Sequence, residues 1–340
     1  MDNEKKKRLM RFGEVVDALI SKDYTARGIS HELYEDVRQQ IQNPLTMSAV
    51  LALAERVKMG DRVMIFTGWP SRSWLIQGLT ETDGPVGAAI LARAMEEAFG
   101  IVPILVMEES MGHFGEVGLR AAGLIVSDLE TALASKPGPP RASVAAVIHI
   151  PTSIKETRKE VDKLLEKIDP KALISIELPG ANADYTYHNV TCREVPTELV
   201  IKADEYFRAA AERNILTIAV GDGGNELGMA NAATAIRRYL KHGEQILPAT
   251  PVDHLVVSCI SNWGALGIAA CIAAVSEQAE VFSHIDIMRI TDKLSDAGAI
   301  DGLTAYVDPK NDGTAYQVNV GLTAMLSLSL QMYMNGWQKK

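Results

Sequence analysis

ILTIAVGDGGNELGM, Ile215 to Met229, sets a short apolar run against a glycine-rich turn that carries two acids. A turn of this kind between a strand and a helix is a common phosphate cradle, because its backbone N–H groups converge. The dinucleotide pattern G-x-G-x-x-G fails here, since Glu226 stands at the third glycine position. A carboxylate there repels a pyrophosphate, so no nucleotide cofactor is expected. The glycines still permit a sharp turn and close approach to the backbone. Asp222 and Glu226 are therefore expected to face a cation. The competing reading is helix capping: Asp222 or Asn225 as cap of a helix over Asn225–Leu240, and Glu226 favourable in its first turn.

Working outward, short apolar runs alternate with amphipathic ones. Strands are expected at Val63–Phe66, Ile101–Met107, Val144–Ile150, Ala172–Ile176, Ile215–Val220 and His254–Cys259. Helices are expected at Val86–Phe99, between Pro85 and Gly100, and at Lys155–Ile168, Glu198–Arg213, Asn225–Leu240, Gly264–Val275 and Ala315–Trp337. Near-continuous apolar strands alternating with helices predict an α/β fold. The expected form is a mainly parallel, doubly wound, Rossmann-like sheet with helices on both faces. One domain over 1–340 is expected, with a helical lead-in over 1–60 and an α/β core over 61–340. An excursion rich in Asp and Gly falls near 285–313.

In such sheets ligands bind outside the carboxyl ends of the strands. Those ends carry Thr67-Gly68-Trp69-Pro70-Ser71-Arg72, Glu108-Glu109, Thr152-Ser153, Glu177, Gly221-Asp222-Gly223-Gly224-Asn225-Glu226 and Ser261-Asn262-Trp263-Gly264. The acidic turn Glu81-Thr82-Asp83-Gly84-Pro85 opens the first helix of the α/β region. Carboxylates gathered on one edge repel unless a hard divalent cation compensates them, and Mg2+ and Mn2+ prefer such oxygens. Asp83, Glu177, Asp222 and Glu226 are the expected metal ligands. Taken singly, each is as well explained as a cap; together they favour a site. His188, in a polar loop, is the acid/base candidate, beside Asp222 and Glu226. His149 lies in an apolar strand and reads as core or supporting, His113 as a cap, and Trp263 as either pocket wall or core. The charges of Lys155–Lys167 read as a solvated face.

The bulk numbers bound the partners. The 340-residue chain is 47% hydrophobic and 23% charged, with net charge −9. Lacking a basic face beyond Lys5-Lys6-Lys7-Arg8, it is not expected to bind nucleic acid. Three cysteines without a C-x-x-C pair speak against a zinc ribbon or a disulfide framework. No apolar stretch suits a membrane span and no secretory signal is visible, so a cytoplasmic location is expected. A trimmed transit peptide would make the mitochondrial matrix the alternative. A homo-oligomer is left open.

Several segments resemble the C-terminal domain of the D-glutamate cyclase family, in that family's order. They are Thr67-Gly68-Trp69-Pro70, Glu81-Thr82-Asp83-Gly84-Pro85, Ile176-Glu177 with Tyr187-His188-Asn189, Gly221 to Met229, and Ser261-Asn262-Trp263-Gly264. The resemblance spans roughly 68–302. It implies a hydro-lyase that closes D-glutamate to 5-oxo-D-proline with loss of water, an enzyme that is mitochondrial in animals. Two departures stand out. The family's full-length enzyme carries a separate N-terminal domain that is absent here. The family's Met-Arg-Gly after the Tyr-x-Asn element is replaced by Val190-Thr191-Cys192-Arg193.

The substrate expected on this reading is a small, anionic, amino-acid-like molecule. Thr67, Gly68, Arg72, Asn189, Arg193, Gly223, Gly224, Asn225 and Asn262 are the candidate contacts, with Arg72 or Arg193 on the α-carboxylate. Two rivals stand beside it: a metal-dependent hydrolase of a phosphate or amide, and a non-catalytic metal- or metabolite-binding domain.

Overall fold

The computed structural model describes residues 2–72, 75–135 and 142–336. Its centre is a seven-stranded sheet in which every pairing is parallel. The strands are β1 (Arg62–Thr67), β2 (Val102–Met107), β3 (Ile125–Ser127), β4 (Val144–His149), β5 (Pro170–Ile176), β8 (Leu216–Gly221) and β9 (His254–Val257). Between β5 and β8 a separate two-stranded antiparallel ribbon joins β6 (Tyr187–His188) to β7 (Glu194–Val195). The order across the sheet is β3-β4-β2-β1-β5-β8-β9.

That order contains one reversal. From β1 the chain steps to β2 on one side, whereas from β5 it steps to β8 on the other. Right-handed crossovers in opposite directions put their helices on opposite faces. Helices Pro85–Phe99 and Ser261–Ser276 pack on each other, as do Ile154–Ile168 and Ala203–Glu212. The reversal opens a crevice at the carboxyl ends of β1 and β5, the usual ligand position of doubly wound sheets.

The strands form because they are buried on both sides: β2 and β8 have no exposed position. Helix Ser261–Ser276 is equally apolar all round, because it lies between the sheet and the lead-in helices Asn3–Ile20 and Leu45–Arg56. Its Gly267 lets Val16 and Ile20 approach: a Cβ there would sit 2.9 Å from Ile20 Cδ1. Among the described residues, no helix is long and apolar enough to cross a membrane.

Two expected elements differ. No helix starts at Asn225; residues 222–228 are turn and loop, a 3-10 turn covers Met229–Ala232, and the helix is Ala233–Tyr239. Gly228, at φ +97°, breaks the run. The helix expected over Glu198–Arg213 starts at Ala203, after a 3-10 turn at Thr197–Leu199. The closing helix is Tyr316–Met334, and its expected end at Trp337 lies outside the described residues.

Candidate functional site

Three strand ends bring three acids together. After β1 the chain reaches Asp83, whose carboxylate accepts the N–H groups of Ser261 at 3.1 Å and Asn262 at 2.7 Å. Asp83 thereby satisfies the first turn of helix Ser261–Ser276, where free N–H groups and the helix dipole favour an anion. Asn262 returns the clasp. Its Oδ1 accepts from Gly84 N at 3.0 Å and Gly87 N at 2.7 Å, and its Nδ2 donates to Thr82 O at 3.1 Å and Asn311 Oδ1 at 2.9 Å. Gly84 must be glycine: at φ +95° a Cβ would meet Thr67 Oγ1 at 2.8 Å and Glu177 Cβ at 2.9 Å.

Glu177 follows β5 in the left-handed region, at φ 42°, a conformation that non-glycine residues adopt at a cost and often at functional sites. The Ser261 hydroxyl donates to its Oε2 at 2.5 Å. Asp222 follows β8 and pairs with Arg27, whose Nη2 is 3.0 Å from Asp222 Oδ2 and whose Nη1 is 2.9 Å from Asp312 Oδ2. Arg27 also donates to the carbonyl of Cys259.

Asp83, Glu177 and Asp222 each offer a carboxylate oxygen, all within 4.8 Å of one another, and all three residues are buried. Burial pushes the Asp83 carboxyl up to about 8, with the Asp312 charge adding to it. Burial, then Glu226 and Asp222, hold Glu177 well above the usual carboxylate range. Asp222 is raised by burial despite the opposing pull of Arg27. Glu81 is raised too, by burial and by Asp312. Three hard oxygens at this spacing could hold one metal ion, whose charge would offset the repulsion.

Glu226 has a different position. Its Oε1 accepts from Asp222 N at 3.1 Å and Gly223 N at 2.6 Å, and its Oε2 from Gly224 N at 2.8 Å and Asn225 N at 2.9 Å. The cradle that would hold a phosphate is filled by the chain's own carboxylate. Glu226 is thus spoken for by four N–H groups and is not one of the three converging acids. With no helix starting at Asn225, Asp222 has no cap to make; it bonds Arg27 instead.

A cavity of about 550 Å3 opens beside these acids. Of the candidate contacts, Arg72, Asn189, Gly223 and Asn225 line it, as do Glu177, Asp222 and Glu226. Thr67, Gly68, Gly224, Arg193, Asn262, His188 and Asp83 are not on its wall. Asn189 spends its Oδ1 on the N–H groups of Thr191 and Arg193 and on the Thr191 hydroxyl. The Gly223 and Gly224 N–H groups are taken by Glu226, while Asn225 Nδ2 donates to His188 O at 3.0 Å. Thr67 Oγ1 and His188 Nδ1 are buried without a hydrogen-bond partner among the described residues. Arg72 Nη2 donates to Gly302 O at 3.2 Å. His149 is exposed at the end of β4, not core, with Nδ1 3.3 Å from Met107 O. Trp263 is core, and its indole donates to Asn319 Oδ1 at 2.8 Å.

Sequence reading missed Arg27 and Asp312 and gave Glu81 no role. Arg27 sits in the link between the first two helices, and Asp312 in the Asp- and Gly-rich excursion. The available signal was a demand: a buried edge with several acids needs compensating charge, and the strand ends supplied one arginine, Arg72.

The comparisons agree with this architecture. The family model described as D-glutamate cyclase-like, C-terminal, matches residues 16–327. The chain is also similar to the human protein named D-glutamate cyclase, mitochondrial, at 28% identity over 260 residues. That alignment takes in 76% of this chain but only 38% of the human protein's length. With the family model covering the whole sheet and the converging acids, this chain belongs to the D-glutamate cyclase-like C-terminal family.

Proposed function

We propose that the chain is a divalent-metal enzyme of the cyclase type, converting D-glutamate to 5-oxo-D-proline and water, or acting on a related small amino acid. The observation that carries this reading is the convergence of Asp83, Glu177 and Asp222 within 4.8 Å beside an open cavity. Those three side chains would hold Mg2+ or Mn2+, which when bound would supply a Lewis acid for the substrate's γ-carboxylate.

In the reaction the substrate ammonium nitrogen bonds to the carbon of its own side-chain carboxylate, one oxygen of that carboxylate departs, and two protons from nitrogen leave with it as water. Tethering supplies the proximity. Glu81 suits the role of proton acceptor: it lines the cavity, stands outside the three ligands, and has a raised pKa through burial. His188 suits it less, because its ring is not on the cavity wall. Arg72, on that wall, is better placed than Arg193 for the α-carboxylate.

A second reading, a metal-binding domain without turnover of its own, draws support from the 38% coverage of the human relative. Incubation with D-glutamate and Mn2+, followed by chiral chromatography for 5-oxo-D-proline, separates the two. Product formation that is lost in Glu177→Gln supports the enzyme. Calorimetric Mn2+ binding without product supports the domain. Turnover of a phosphomonoester alone would instead indicate a hydrolase.

A further inference from the structure

A second pocket, of about 350 Å3, lies at the carboxyl end of β4; it carries one acid, Glu198, and one buried cation on its wall, where the first cavity gathers several acids. Lys202 lines it and is only 7% exposed. Its ammonium donates to Val200 O at 2.8 Å and to Thr197 O, and stands 4.7 Å from the centre of the Tyr187 ring. An ammonium has three donors, so one is left over. Among the described residues it forms no ion pair; Asp204 and Glu198 act on it only at longer range. Burial pulls its pKa down to about 8.

Helix Ile154–Ile168 begins in the same pocket, with Thr152, Ser153 and Ile154 on the wall. Ser153 is its N-cap yet makes no capping bond, so first-turn N–H groups lack side-chain partners. Tyr187, 1% exposed, also lines the pocket, and its hydroxyl makes no hydrogen bond. Beyond Tyr185, which lines the pocket, Arg158 and Arg208 lie 5.8 and 5.4 Å from its ring, both paired with Glu205 at 2.8 and 2.7 Å.

We propose that this pocket binds a small oxyanion, the carboxylate or phosphate group of a metabolite, between the Lys202 ammonium, the N-terminus of helix Ile154–Ile168 and the Tyr187 hydroxyl. A buried ammonium without a counter-ion is costly, and an oxyanion relieves that cost. The same anion satisfies the helix N–H groups and gains from the dipole. The site needs no metal, so it stands or falls apart from the cyclase reading. One loop reaches both cavities: Tyr187 lines this pocket, and Asn189 to Thr191, just along the chain, line the acidic one.

The test is calorimetric titration of the full chain in EDTA with inorganic phosphate and, separately, acetate, against chloride at matched ionic strength. The expected result is saturable binding of at least one. Binding of acetate alone identifies a carboxylate ligand, and of phosphate alone a phosphate. Lys202→Met should weaken it about tenfold, and Tyr187→Phe about threefold. Ser153→Asp should abolish it while raising the melting temperature, because the new carboxylate caps the same N–H groups. Saturation by neither anion up to roughly 50 mM would overturn the proposal, as would binding unchanged in both Lys202→Met and Ser153→Asp.

Discussion

Asp17, in the first helix, is 1% exposed and accepts from the Leu45 N–H at 2.6 Å, the Thr46 N–H at 3.2 Å, the Tyr34 hydroxyl at 3.2 Å and the Thr46 hydroxyl. Asp222, 3% exposed, accepts from Arg27 and otherwise meets the charges of Asp312, Glu226 and Asp83. Both carboxylates are buried and both have raised pKa values. The difference lies in what surrounds them. Asp17 holds helix Leu45–Arg56 by its first turn and is complete; Asp222 belongs to a set of acids that outnumbers the one guanidinium, Arg27, paired with it. Burial of an acid is therefore a poor mark of a site, and burial among other acids is a better one.

The largest effect should come from the structural member. Asp17→Ala strands two N–H groups and two hydroxyls, so unfolding should be easier by about 3–4 kcal/mol in urea titration. The remaining folded protein should keep its Mn2+ response. A loss below about 1 kcal/mol would erase the distinction between the two acids.

Next comes the metal. Mn2+ at a hundredfold excess over its Kd should add about 2.7 kcal/mol, reversed by EDTA. Glu177→Gln should remove that gain. Without metal the variant should be as stable as the parent or more so by about 1 kcal/mol, since repulsion falls and the Ser261 hydroxyl keeps an acceptor. A less stable metal-free variant would mean that Glu177 is structural, like Asp17.

The pH dependence sharpens the contrast. Asp83 has a folded-state pKa of about 8 against 3.8 unfolded, and Asp17 about 6 against 3.8. Between those values the folded state keeps a proton that the unfolded chain has released. The stability from each is greatest below about pH 4 and falls as pH rises, by up to ~1.4 kcal/mol per pH unit per proton. Asp17's share ends near 6; of a decline from 6 to 8, the part that responds to Mn2+ reports the acidic site, since buried Asp204, outside it, is raised too. With Mn2+ that decline should reverse, because a metal binds deprotonated carboxylates. Thermal melts in matched buffers, with and without Mn2+, check this; an unchanged decline in Mn2+ would break the account.

The smallest effect is Tyr34→Phe, which removes one donor from Asp17. It should cost about 1 kcal/mol and leave the Mn2+ shift unaltered. A changed shift would couple two regions held here to be independent.

Much of the sheet was legible because β1, β2, β5 and β8 are apolar runs bounded by glycine or polar residues. Strand β3 was not: it is a short edge strand, and Ile125 is 56% exposed. The strand ends named Asp83, Glu177 and Asp222 because a parallel sheet aligns its carboxyl ends. The turn after β8 was misread as a helix start because Glu226 looks like a first-turn acid, while its side chain folds back over the N–H groups behind it. Arg27 and Asp312 were illegible because their approach depends on how the lead-in and the excursion pack, which no local pattern records.

The most direct test of the central claim is the anomalous difference density of a Mn2+-soaked crystal. The account predicts one peak within about 2.0–2.3 Å of oxygens from at least two of Asp83, Glu177 and Asp222, with Glu226 still on its backbone N–H groups. A peak held by Glu226, or none at these residues with Mn2+ in millimolar excess, would contradict it.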